Sequence, residues 1–336
     1  KMSVSLIIVL YIGLLFTISF VTSKENNNSN FFVGNRNSSW WAVALGMVGA
    51  SVSGVTFVSV PGWISSTHFT YLQMAAGFIV GYFLIAYILL PLYYKKNATS
   101  IYSILEEKLG KRGRTTAAFC FFLTKLLSSA VKLYVVVLIL HHILQSEWGI
   151  PFPLLVFISI LTVWFYSFRS GIKTIVWTDF IQTIFLILSL LLLLYTACNL
   201  LNYDISTAYQ TIKGSEYSTI FNFDWSSKQN FFKQFVSGIF IVLVMTGMDQ
   251  DMMQKNLSCK NLKEAQKNMI SYSFLFIPLI LLLLSLGVLI TVYFKANGIE
   301  GITGDHLLPS FAQQSGNIAF SCFLIGLIAS TFSSID

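Results

Sequence analysis

The sequence predicts an all-α, polytopic membrane protein, and three observations carry that prediction. First, 55% of the 336 residues are hydrophobic and only 10% are charged, where an ordinary soluble domain has about 25% charged. Second, the apolar residues collect in windows long enough to cross a bilayer core, about 20 residues each. Third, the basic residues gather in alternate loops between those windows, the pattern by which positive charge sets membrane orientation. A soluble enzyme of this size could not cover its surface with so few charges. A disordered tail and a disulfide scaffold are excluded by the same composition.

Residues 4–22 form the first span. It is as long as a signal peptide, but the SKENNNSN that follows offers no small-residue cleavage site, so it reads as an anchor helix. Eight further spans are expected at 40–62, 71–94, 117–146, 152–168, 172–199, 231–253, 269–296 and 317–336, read from apolar windows. Loops on one side hold Lys24, Arg36, Lys95, Lys96, Lys108, Lys111, Arg112, Arg114, Arg169, Lys173, Lys255, Lys260, Lys263 and Lys267, which is 14 of the 21 basic residues. The other side, including the 231 boundary, holds Lys1, Lys213, Lys228, Lys233 and Lys295, while Lys125 and Lys132 lie inside a span. The split supports nine spans, an N-terminus outside and a multi-pass protein of the plasma (inner) membrane. The net charge of +7 is accordingly read as orientation in a lipid bilayer, with no nucleic-acid partner. The chain stops at Asp336, at or just inside a helix end, and reads as a fragment of a longer protein.

Metal-cluster and disulfide chemistry find no pattern here. Cys120, Cys198, Cys259 and Cys322 are scattered, and His141 and His142 diverge by about 100° on a helix. The chemistry lies instead in polar residues within the spans, which are costly in lipid unless they serve a site. The second span carries Gly46, Gly49, Ser51, Ser53, Gly54 and Thr56 ahead of Pro61-Gly62. Such a stretch either packs a helix closely or unwinds and frees carbonyls for a cation. In the last span Ser330, Ser333 and Ser334 share one face, with Thr331 beside them. Hydroxyl oxygens suit a hard cation such as Na⁺, or they bond their own helix carbonyls. Asp179 sits about two turns into its span and needs a partner: a bound cation, or Arg169 or Lys173. Lys132 is about 22 Å from either end of its span, too deep for easy snorkelling, so it faces a carboxylate, a water-filled cavity or an anionic substrate. Lys125 can more readily reach the inner interface. Gly247, followed by Met248-Asp249-Gln250-Asp251, suggests a second interrupted helix, with Lys255 as a surface partner for Asp251. Two Gly-interrupted spans in comparable positions point to a secondary transporter built from repeats.

At these residues the chain resembles the sodium/solute symporters, the family of sodium–galactose, sodium–proline, sialic acid and pantothenate transporters. The resemblance rests on YSFRSGIKTIVWTDFIQ (166–182), GMVGASVSG (46–54) followed by Pro-Gly, DQDMMQKNLSCKN (249–261) and ASTFSS (329–334). It implies a leucine-transporter-type inverted-repeat core with one extra N-terminal helix and an incomplete second repeat. On that pattern 1–39 is the extra helix and inner loop, 40–199 the first five-helix repeat, 200–230 an extracellular loop and 231–336 the first three helices of the second repeat. The family's main Na⁺ site falls on Gly49, Val52, Leu327, Ser330 and Thr331. A second Na⁺ site, present in some members, falls on Asp179 with Ser330, Ser333 and Ser334. The resemblance thus implies one Na⁺, with room for two. For the solute it implies Ser51, Ser53 and Thr56, then Lys132, with Gln73 nearby. The aromatic pair that sugar-transporting members use falls on Met245 and Thr246, so that stacking platform is missing.

The expected function is Na⁺-coupled import of a small organic solute by alternating access, the solute an anion such as sialic acid, another sugar acid or a monocarboxylate because of Lys132. Alternatives are a neutral sugar or amino-acid symporter and a sensor module of the same fold. An enzyme is not expected, because no nucleophile–base pair or metal motif is present.

Overall fold

The computed structural model describes residues 4–22, 34–97, 100–167 and 171–335. Among these residues every regular element is helical. Four helices are long and apolar enough to cross a membrane, and two bent pairs pass the same test together. The protein is a multi-pass membrane protein, as the composition requires.

The first span is α1 (Val4–Thr22), which packs against later helices from outside the core. The second span is broken, one of the two readings its glycines and hydroxyls left open. Helix α2 (Trp40–Ser51) ends at Val52, and α3 (Gly54–Gly62) restarts at an angle of 63°. Ser53 makes the restart possible by accepting from the Thr56 N–H at 3.3 Å, an N-cap that satisfies one of the donors a helix start leaves open. The third span runs through α4 (Tyr71–Leu84), a π turn at Ile85–Leu89 and α5 (Leu90–Lys95). Next come α6 (Ile101–Trp148), α7 (Phe152–Ser167) and α8 (Ile172–Leu201). Helix α6 begins earlier than the apolar window does. The charged stretch read as a loop is helical and bends at Gly110, whose φ of 71° suits glycine alone. Its charges pair locally, Arg114 with Glu106 at 2.7 Å and Lys96 with Glu107, and hydropathy windows do not register such a helix.

The long outer loop carries a short helix of its own, α9 (Ile205–Gly214), capped by Asp204, which accepts from the Thr207 N–H at 2.9 Å. The seventh span is the second broken one. Helix α10 (Phe231–Val242) passes through a π turn at Leu243–Gly247, and α11 (Gln250–Leu257) leaves at 68°. Asp249 caps α11 by accepting from the Met252 N–H at 3.2 Å. The chain ends with α12 (Leu262–Ala296), α13 (Leu307–Gln314) and α14 (Asn317–Phe332).

Two packing groups follow. Helices α4 and α10 touch backbone to backbone: a Cβ on Gly77 would overlap the Phe235 carbonyl, and one on Gly238 the Met74 carbonyl. Small residues give helices in lipid this close approach. Helix α12 packs on α2, α3 and α4, completing one group. Helices α8 and α14 pack on each other and carry α1 on their far side, and α8 also packs closely on α2, where a Cβ on Gly49 would overlap Thr183. Ser189 donates to the Cys322 carbonyl across that contact. The break between α2 and α3 lies where the two groups meet.

Candidate functional site

The α2–α3 break is built by what α2 lacks. Its last backbone donor, the Val52 N–H, bonds the Val48 and Gly49 carbonyls at 3.1 Å each. The bend then releases the carbonyls that a continuous helix would have used. Two glycines bring this break against other helices. A Cβ on Gly49 would overlap Thr183 Oγ1 of α8, and one on Gly54 would overlap Thr331 Oγ1 of α14 and crowd Val136 of α6. The same Gly54 position is 3.3 Å from the Leu327 carbonyl oxygen. The start of α3 and the late helix therefore meet at Gly54 and Thr331.

On α14 the oxygens converge. Ser330 Oγ donates to the Leu327 carbonyl at 3.0 Å and Thr331 Oγ1 to the same oxygen at 2.7 Å. All three residues are buried. Ser334 Oγ donates to the Thr331 carbonyl at 2.9 Å and Ser333 Oγ reaches the Ser330 carbonyl at 3.5 Å. The hydroxyls thus bond their own helix, and turning them outward offers oxygen ligands to a hard cation at the break.

A second polar group lies on the other side of α2. Ser51 Oγ donates to the Met47 carbonyl at 2.9 Å, and it lies 2.5 Å from the Tyr272 hydroxyl of α12. Tyr82 of α4 donates to the Tyr272 hydroxyl at 3.0 Å. Thr246, in the π turn after α10, is buried beside the same tyrosines. Four hydroxyls from four elements therefore gather beside the break. Ser51 and Thr246 were expected there. Tyr82 and Tyr272 were not, because tyrosines within apolar windows look like ordinary packing residues.

The remaining expected residues divide. Ser53 and Thr56 stand at the start of α3, their hydroxyls 3.2 Å apart. Lys132 is half-buried and one turn from Val136, which packs on Gly54, so it lies about 6 Å along α6 from the break. It makes no ion pair among the described residues. Met245 is 67% exposed and stands away from the hydroxyl group that its neighbour Thr246 joins. Gln73 is fully buried, and its amide is engaged elsewhere. It donates to the Gln229 carbonyl at 2.9 Å and accepts from the Asn222 N–H at 2.9 Å, which ties the outer loop to α4.

Asp179 has a different partner from those weighed in the sequence. Its Oδ2 lies 2.8 Å from Lys255 Nζ, with side chains 0% and 3% exposed. Arg169 lies outside the described residues. Lys255 also reaches Asp251 at 3.5 Å, the surface pair expected for it. The 68° bend after Gly247 corrects that expectation by carrying α11 inward, where Lys255 is buried. Lys125 pairs with Asp249 at 2.9 Å and Asp251 at 3.5 Å.

Paired broken helices, oxygens converging at one break and a buried charge network are features by which secondary transporters are built. The family model described as the sodium:solute symporter family matches residues 31–335. The chain belongs to that family. It is 24% identical over 330 residues to the sodium/sialic acid symporter SiaT of Proteus mirabilis (strain HI4320), covering 94% of this chain and 64% of that one. It is 27% identical over 255 residues to the sodium-coupled monocarboxylate transporter 2 of Danio rerio, 74% of this chain and 39% of that one. The human sodium/iodide cotransporter matches at 24% over 264 residues, 78% of this chain and 40% of that one. The chain thus spans between about two fifths and two thirds of the length of these relatives. A solved structure of a Na⁺-coupled sialic acid symporter, substrate-bound and outward-open, superposes on 100% of this chain and 71% of its own, with a TM-score of 0.87 at 21% identity. That likeness shows the leucine-transporter-type fold.

Proposed function

We propose that the protein is a Na⁺-coupled symporter that imports a small organic anion by alternating access. One observation carries the reading: the α2–α3 break packs on the Thr331 hydroxyl and the Leu327 carbonyl, on which the Ser330 hydroxyl also converges. Na⁺ there is held by these atoms with the Gly49 and Val52 carbonyls, and it joins the two packing groups. The solute binds on the other side of the break, among Ser51, Ser53, Thr56, Thr246, Tyr82 and Tyr272. Gln73 and Met245 take no part in this conformation.

Lys132 argues for a negative charge on the solute, because a lysine within a span that makes no ion pair among the described residues can receive an anion. The relatives' names agree in sign: sialic acid, monocarboxylate and iodide are all anionic. A second Na⁺ at Asp179, Ser330, Ser333 and Ser334 requires Lys255 to leave Asp179, so this conformation carries one Na⁺. The basic loops face the cytoplasm and the N-terminus lies outside, in the plasma (inner) membrane. Inward-negative potential then drives each Na⁺ with about 2.3 kcal/mol per 100 mV. The test is uptake of labelled sialic acid and pyruvate into proteoliposomes carrying an inward Na⁺ gradient. Uptake that collapses when choline replaces Na⁺ supports the reading, and uptake that persists unchanged overturns it.

A further inference from the structure

Helix α11 is joined differently to the helices on its two sides. Inside the first group the polar links to α11 are neutral. Tyr93 Oη donates to the Gly247 carbonyl at 2.9 Å, Tyr94 Oη to the Asn256 and Cys259 carbonyls, and Asn268 Nδ2 to Asn256 Oδ1 at 2.7 Å. Between α11 and the helices α6 and α8 there are ionic links, beside the Gln250 side chain, which accepts from Ser100 and Ile101 ahead of the Gly110 bend. Lys125 of α6 meets Asp249 and Asp251, and Asp251 and Asp179 of α8 share Lys255. Lys125, Asp251 and Lys255 each have two partners, so the Lys125–Asp251 and Lys255–Asp251 contacts can each open while both residues keep another ion pair.

Depth adds a direction. Lys125 and Asp251 are 37% and 43% exposed, while Lys255 and Asp179 are 3% and 0% exposed. The Lys125 end is therefore the less enclosed one. Parting its charges costs less than parting the buried Lys255–Asp179 pair. Asp249 holds Lys125 with Oδ2 and caps α11 with Oδ1, so releasing Lys125 leaves the start of α11 intact.

We propose that the chain Asp249–Lys125–Asp251–Lys255–Asp179 is the latch that closes the cytoplasmic end of the transport pathway, opening from Lys125 toward Asp179 as α11 swings from α6 and α8. This rests on the transporter reading and goes beyond it. The test is hydrogen–deuterium exchange over residues 249–257, on the full chain in lipid nanodiscs, with Na⁺ or choline. Lys125→Gln in Na⁺ is expected to raise exchange in that segment about tenfold, the scale of losing two partly exposed pairs. Exchange over 205–218 and the melting temperature are expected to stay near wild type. Lys125→Arg keeps both pairs and is expected to restore slow exchange. Wild-type exchange in Lys125→Gln, or an equal rise over every helix, overturns the latch. The transporter reading fails separately, if Na⁺ changes exchange nowhere in the unmodified protein.

Discussion

Thr331 is where sequence, packing and chemistry meet in one side chain. Its hydroxyl bonds the Leu327 carbonyl, and it forces glycine at position 54. Thr331→Val keeps the shape and removes the oxygen. It is expected to weaken apparent Na⁺ affinity about tenfold or more, the scale of one lost ligand of 1.4 kcal/mol, as read by Na⁺-dependent thermal shift. A variant with unchanged Na⁺ response would remove α14 from the cation site. At Asp179 and Lys255 the expected effect is on stability. Breaking one partner of a buried pair costs about 3–5 kcal/mol, and replacing both costs much less. Asp179→Asn and Lys255→Met should therefore each lower the unfolding midpoint sharply, and the double variant should recover most of it. Legibility at this scale was uneven. The hydroxyls of α14 stood out because four polar residues in five positions are rare in a lipid span. Lys255 as the partner of Asp179 did not, since their meeting depends on a bend whose angle no local pattern encodes.

At the scale of elements, both interruptions could be read from composition, because glycine and capping residues sit where an unbroken lipid helix would place apolar ones. The helix before Gly110 and the outer helix α9 escaped, being charged or polar and short. The outer loop is held by Gln73, so Gln73→Ala is expected to raise exchange over 222–230 while leaving Na⁺ response unchanged. A loss of solute affinity with an undisturbed loop would return Gln73 to the solute site. Helix α9 depends on Asp204, whose carboxyl the Thr207 hydroxyl and N–H hold below the usual range. A group with a depressed folded value stabilises the fold above its ordinary pKa and loses that contribution as pH falls through the folded value. Exchange over 205–214, corrected for intrinsic rates, should rise on acidification below the ordinary carboxylate pKa, and Asp204→Asn should flatten that rise.

For the whole molecule, the alternation of basic loops supports the spans read from apolar windows, because each missed span would have reversed every later loop. Orientation follows from the same charges and is open to direct labelling. With the native cysteines replaced, a cysteine at Lys213 should react with an impermeant maleimide on intact cells, and one at Lys111 only after permeabilisation. The reverse result would invert the molecule. What charge and hydropathy could not supply was the meeting of Gly54 with Thr331, or of Ser51 with Tyr272. Those contacts join residues far apart in sequence and arise only once the helices are packed.

The seam between α4 and α10 has one more implication. Where Gly77 and Gly238 let main chains touch, no side chain is left to act as a bearing. Neither helix can slide or roll against the other without collision, so the pair behaves as a single stiff lever. A spectroscopic ruler fixed across it should read one constant length at every stage of turnover, which makes that seam the natural reference frame for measuring what moves elsewhere.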